Sequence, residues 1–270
     1  MPSNRARRTR GKMFPPAHPL LEYRAARTYN REVAMLKLPG MFHAFTTMDE
    51  TAERVSLILT EHRDRNGKTH VSLINFMLLL QRQARTAFDA FVEGQAYQGW
   101  LLFRPGLEAA LIIGKWLDDP NNATIWKNRR NDWKSYKQEY EGKALRSASL
   151  PGSDQLQSVL KRINDDFVHP NPDYVGRHIK VTKAGAKASN LWLMYFDDEP
   201  TVQVQLLAFL HLHLSVIDSL LTAYKKLFSG IDLMQSGLAE FETAFGPRVL
   251  ELRKMLKNDA RPLKDFGLWQ

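Results

Sequence analysis

From Thr201 to Phe228 the chain offers water almost no polar circumference. Leu206, Leu207, Phe209, Leu210, Leu214 and Ile217 are spread around every side of a helix drawn through this stretch, and a helix that is apolar all round is normally a core element. Asp198 and Glu199 before Pro200 give it an acidic, proline-marked start. The stretch is read as the central buried helix of a mainly α protein. Its narrow polar stripe of His211, Ser215 and Asp218 is no hydrolase triad, because a straight helix supplies neither a sharply exposed nucleophile nor an oxyanion hole. His211 and His213 stand about 200° apart on such a helix, too far round to share a metal ion.

Shorter periodicities place the surrounding helices. Asp49 is the N-cap expected for a helix over Glu50 to Asp64, ended by Asn66-Gly67. Leu73, Met77, Leu80, Ala84, Phe88 and Phe91 recur at three- and four-residue spacing, which predicts a longer helix from Val71 to Gln95. Pro105 fits a first helical position, so a helix begins or kinks there and runs to Leu117. Further helices are expected from Asn122 to Glu141, after Ser153 or Asp154 as cap, and over Leu233 to Leu256. Between the late helices, Arg177 to Thr182 and Asn190 to Phe196 are β-rich and flank a link containing Gly185, which predicts a small β-hairpin insertion within 177–197. The expected organisation is a basic, proline-containing tail and irregular surface arm over 1–48, a single helical-bundle domain over 49–257, and a C-terminal tail over 258–270.

Composition narrows the chemistry. The 270 residues include no Cys, which excludes disulfides and thiolate metal sites and fits a reducing compartment. Gly-rich phosphate loops, paired zinc motifs and dinucleotide fingerprints do not occur, so neither cofactor nor metal is expected. The formal net charge is +9, and Arg5, Arg7, Arg8, Arg10 and Lys12 supply five of those charges before the first acid. A tail of this kind is either a solvated terminus or a contact for nucleic acid or an acidic membrane surface. It is not followed by the apolar segment of a signal peptide, and no uncharged run reaches the ~18 residues of a bilayer span. The expected location is the cytoplasm, with no membrane association.

Four places carry patterns with chemical meaning. Arg162 and His169 are seven residues apart, which at about 3.6 residues per turn puts a cation and a titratable base on one helix face. Pro170 disfavours helix in the residue before it, so His169 is expected at the helix C-terminal end, where an imidazolium suits the dipole. Arg104 and Glu108 lie one turn apart, either as a structural ion pair or, if they face the Arg162 edge, as supporting groups. Trp126, Trp133, Tyr136 and Tyr140 interleave with Arg129, Arg130, Lys134 and Lys137. That is the composition of a nucleic-acid surface, or of an amphipathic helix whose rings pack inward. Arg177, Lys180 and Lys183 line the expected hairpin, where they would approach RNA backbone or protect a strand edge.

Helices of bundle length, an Arg and a His on one helix edge, and the ending Phe167-Val168-His169-Pro170 together resemble the HEPN superfamily, above all its bacterial members. In the catalytic branch an Arg is followed, after about four to six residues, by a His on a late bundle helix; Arg162 and His169 match with six between them. The resemblance covers Val71 to Phe228. It differs at Ile163, where the superfamily's nucleases commonly carry a polar residue; Asn164 comes one later. What the resemblance implies is metal-independent RNA cleavage by attack of a ribose 2′-hydroxyl on the adjacent phosphate. His169 would act as general acid or base, Arg162 would stabilise phosphate charge, and Asn164, Asp165, Arg104 and Glu108 would support them. It also implies a homodimer with two such edges across a two-fold axis. The competing class is a non-catalytic helical module binding RNA, a nucleotide or a protein partner.

Overall fold

The computed structural model describes residues 19–61, 68–168, 176, 179–183, 189–193 and 196–228. The basic tail before residue 19, the helix expected at 233–256 and the C-terminal tail at 258–270 lie outside the described residues. Eight α-helices build the rest: α1 (Pro19–Lys37), α2 (Pro39–Glu61), α3 (Lys68–Val92), α4 (Ala96–Asp118), α5 (Asn121–Lys127), α6 (Trp133–Tyr140), α7 (Ser153–Ile163) and α8 (Glu199–Phe228). A 3-10 turn follows α6 at Gly142–Leu145, and a π-turn extends α7 over Asn164–Val168. Two five-residue strands, β1 (Ile179–Lys183) and β2 (Ser189–Leu193), run antiparallel with Ile179 opposite Leu193 and Lys183 opposite Ser189.

Helices α3 and α4 form the most extensively packed pair, joined by a tight turn in which Gly94 takes a left-handed φ of 79°. Their close approach depends on small residues: a Cβ at Gly99 would stand 2.7 Å from the Phe91 ring. Helix α8 lies against α2, α3 and α4 together, as its apolar circumference demands. Phe209 on α8 sits between Phe91 at 5.0 Å and Phe103 at 4.9 Å. By length and hydropathy Glu199–Lys225 is long and apolar enough to cross a bilayer, yet 67% of its most apolar window is buried inside the bundle. In the polar stripe of α8, Ser215 Oγ donates to the His211 carbonyl at 2.9 Å.

The segment expected to be an irregular arm is helical from Pro19 onward. Its prolines stand at the first residue of each helix, Pro19 in α1 and Pro39 in α2, where the missing N–H costs nothing and the fixed φ favours initiation. Asp49, expected as an N-cap, lies inside α2 and instead accepts from Arg85 Nε at 2.8 Å. Helix α1 is fastened to the bundle: Arg27 and Arg31 both engage Glu93, whose side chain is 8% exposed, and Lys37 meets Glu199 at 2.6 Å.

Two other boundaries moved. Helix α4 begins nine residues before Pro105, with the Ala96 N–H donating to Asp197 Oδ2 at 2.8 Å, so Pro105 is interior and withholds the bond a helix would send to Leu101. The helix expected over 122–141 is broken at 128–132. There Asp132 accepts from the Ser135 N–H at 3.0 Å and from its hydroxyl at 2.6 Å, starting α6 afresh.

Candidate functional site at the end of α7

Helix α7 buries Leu156, Leu160 and Ile163 against α4 and turns Lys161 and Arg162 outward. Ile163, which departs from the polar residue of the resembled pattern, is 3% exposed and belongs to the core. After it the chain winds as a π-turn rather than the continuous α-helix expected through to His169. Asn164, Asp165 and Asp166 are weak helix formers that compete for backbone hydrogen bonds. Phe167 is drawn back over α4, with ring centroids 5.8 Å from Tyr97 and 6.2 Å from Trp100. A π-turn holds more residues per turn than an α-turn, so ordinary helical spacing counted from Arg162 holds only as far as Ile163. His169 lies outside the described residues.

Arg162 is 44% exposed and pairs through Nε with Asp166 Oδ2 at 3.3 Å. Asp165, expected as the supporting acid, is exposed and forms no ion pair among the described residues. Arg104 donates through Nε to the Asn164 side-chain oxygen and pairs with Glu108 at 2.8 Å, so the Arg104 edge and the end of α7 form one polar cluster. Burial raises the Glu108 carboxyl above its ordinary pKa, and the charge of Arg104 offsets part of that rise. The neighbouring edge of α4 and the end of α7 thus each present a part-exposed guanidinium held by a carboxylate, Arg104 by Glu108 and Arg162 by Asp166.

The aromatic segment beyond α4 is graded from core to surface. The Trp126 ring packs on Phe76 at 5.3 Å and Trp116 at 5.9 Å, and Arg129 lies over its face at 3.7 Å. Tyr140 is buried; its hydroxyl accepts from Trp116 Nε1 at 2.8 Å and donates to the Asn122 carbonyl at 2.6 Å. Tyr136 stacks on Tyr140 at 5.2 Å, and Trp133 stacks on Tyr136 at 5.1 Å. Burial first, then the nearby charge of Glu108, holds the Tyr136 phenol above its usual pKa. Arg130 and Lys134 are exposed. Lys180 and Lys183 stand in β1 opposite Trp192 and Ser189, and Arg177 lies outside the described residues.

The spacing of sequence positions did not disclose the link between Arg104 and Asn164, which are sixty residues apart. Nor did it separate Trp133 from Trp126, which share a composition and differ in burial. Among the described residues no group of three or more His, Asp or Glu is placed to hold a metal ion. No family model, curated protein or solved structure matches this chain.

Proposed function

We propose that the chain is a HEPN-like, RNA-binding protein of the cytoplasm that cleaves RNA without a metal ion, working as a homodimer. The observation that carries this reading is the polar end of α7, where Arg162 pairs with Asp166 and Asn164 accepts from Arg104 of α4. Guanidinium groups suit the charge that develops on a phosphate under attack by a 2′-hydroxyl. Their carboxylate partners are no obstacle, because half-exposed ion pairs contribute only ~0–1 kcal/mol and an incoming phosphate can exchange with them. In this scheme His169 moves the proton, since an imidazole near its ordinary pKa of about 6.5 serves as acid and base. Asn164 positions Arg104, and Glu108 tempers its charge. Arg129, Arg130 and Lys134 extend the contact along the backbone. The antiparallel pairing of β1 and β2 supports reading 177–197 as a β-hairpin inserted before α8, with Arg177, Lys180 and Lys183 as further phosphate contacts.

A second reading, a non-catalytic module that binds RNA, a nucleotide or a protein, is favoured by the ion pair that ties Arg162 to Asp166. One experiment separates the two. Labelled RNA is incubated in EDTA with the wild-type chain, Arg162→Ala and His169→Ala. Cleavage by the wild type that falls about 100-fold or more in both variants, the scale of losing an acid–base group, supports the enzyme. Equal cleavage by all three removes it, and salt-sensitive binding without cleavage leaves the module.

A further inference from the structure

Trp133 is the outermost member of the Trp133–Tyr136–Tyr140 ladder and is 54% exposed, although a ring of its size would gain by burial. It does not fold back onto the protein because its inner side is already occupied: Tyr136 lies nearly parallel at 28°, and Tyr136 rests in turn on Tyr140 at 12°. The hydroxyl of Tyr140, bonded to Trp116 and to the Asn122 carbonyl, anchors the base of the ladder in the core. A rigidly backed, outward-facing indole of this kind is a stacking platform.

The charge around it is one-sided. Residues 127–137 contain Lys127, Arg129, Arg130, Lys134 and Lys137 against the single acid Asp132, and that acid is engaged by Ser135 in capping α6. Arg129 is held over Trp126, and Lys137 pairs with Glu141 at 3.6 Å. Lys127, Arg130 and Lys134 are exposed and have no carboxylate within ion-pair distance among the described residues. The ligand that complements a bare ring face amid three uncommitted cations is one with planar groups strung on an anionic backbone.

We propose that Trp133 stacks an unpaired base of single-stranded nucleic acid, with Lys127, Arg130 and Lys134 holding the phosphates on either side. A base offers its face only when it is free of a duplex stack, so the surface selects single strands over duplex. This names the substrate form for the RNA reading above and rests on that reading; the binding itself does not require cleavage.

The test measures binding on a His169→Ala background, so that loss of catalysis does not enter. A labelled single-stranded RNA oligomer and a duplex of equal length are titrated by fluorescence anisotropy against the full chain with and without Trp133→Ala, Trp133→Phe and Arg130→Ala/Lys134→Ala. Trp133→Ala is expected to weaken single-strand binding about 5- to 100-fold, the range of one lost base–aromatic stack. Trp133→Phe restores part of it, and the double variant lowers the salt dependence of binding. Thermal melts matching the parent protein show that the exposed substitution leaves the fold intact. Unchanged affinity in folded Trp133→Ala, equal binding of duplex, or equal competition by polyglutamate overturns the proposal. Tight, Trp133-dependent binding by a wild-type chain that cleaves nothing keeps it while removing the nuclease.

Discussion

At the scale of single residues, His213 is placed most expensively. It is 1% exposed on α8, its ring lies 5.9 Å from Phe209, 5.7 Å from Phe103 and 6.0 Å from Phe45, and Nδ1 has no hydrogen-bond partner among the described residues. Burial pushes its pKa down to about 4, with the charge of Asp49 opposing the shift. In the unfolded chain the same imidazole titrates near 6.5. Between those values the unfolded state binds the extra proton, so stability is full above about pH 6.5 and falls as pH drops toward 4. The lost stability is on the order of 3 kcal/mol by that shift. His213→Leu is expected to flatten urea-unfolding stability between pH 7 and pH 4.5 and to match or exceed the parent at pH 7, since it removes an unsatisfied buried nitrogen. A slope as steep in the variant as in the parent would assign the acid sensitivity to other groups. This residue was legible only in part: helical spacing put His213 away from His211, but nothing in the sequence sets three phenylalanines from α2, α4 and α8 around it.

At the scale of elements, the connection after the 3-10 turn is held as firmly as a helix. Asp118 accepts from the Ala148 and Ser149 N–H groups at 3.0 and 2.6 Å, and Ser153 Oγ donates to the Ser147 carbonyl at 2.8 Å. Gly114 permits this: a Cβ there would stand 2.7 Å from Ser147 Oγ and 2.8 Å from Leu150 Cβ. Gly114→Ala is expected to destabilise the protein by about 1–3 kcal/mol, as overpacking does. An unchanged denaturation midpoint would mean that the turn yields instead. Long helices with a clear apolar period, α3 and α8, were legible because burial of one face or of all faces is written in residue order. Helix α1 was not, because Tyr29, Met35 and Leu36 remain exposed, at 65%, 53% and 82%, and its attachment runs through charges on Arg27, Arg31 and Lys37. The break at 128–132 was written as an Asp132 cap three residues before Ser135, a signal overshadowed by helical spacing of the aromatics.

At the scale of the whole molecule, the mainly α character follows from composition and period. The polar rim does not, because it is assembled by docking α7 on α4. The proposed nuclease adds a requirement beyond one chain: its rim is to meet a second copy across a two-fold axis. Light scattering during size-exclusion chromatography is expected to give the mass of two chains at the concentrations at which RNA is cut. A one-chain mass under those conditions would rule out the paired arrangement.

The π-turn at Asn164–Val168 makes chain length itself a structural variable. Removing one residue from it would let α7 continue as ordinary helix and rotate all that follows by about 100°. Phe167 would leave Tyr97 and Trp100, and the chain would set out on a new bearing toward Asp197, whose carboxylate caps α4. A substitution in these five positions alters the contacts of one side chain, whereas a single deletion alters the direction of the chain that follows.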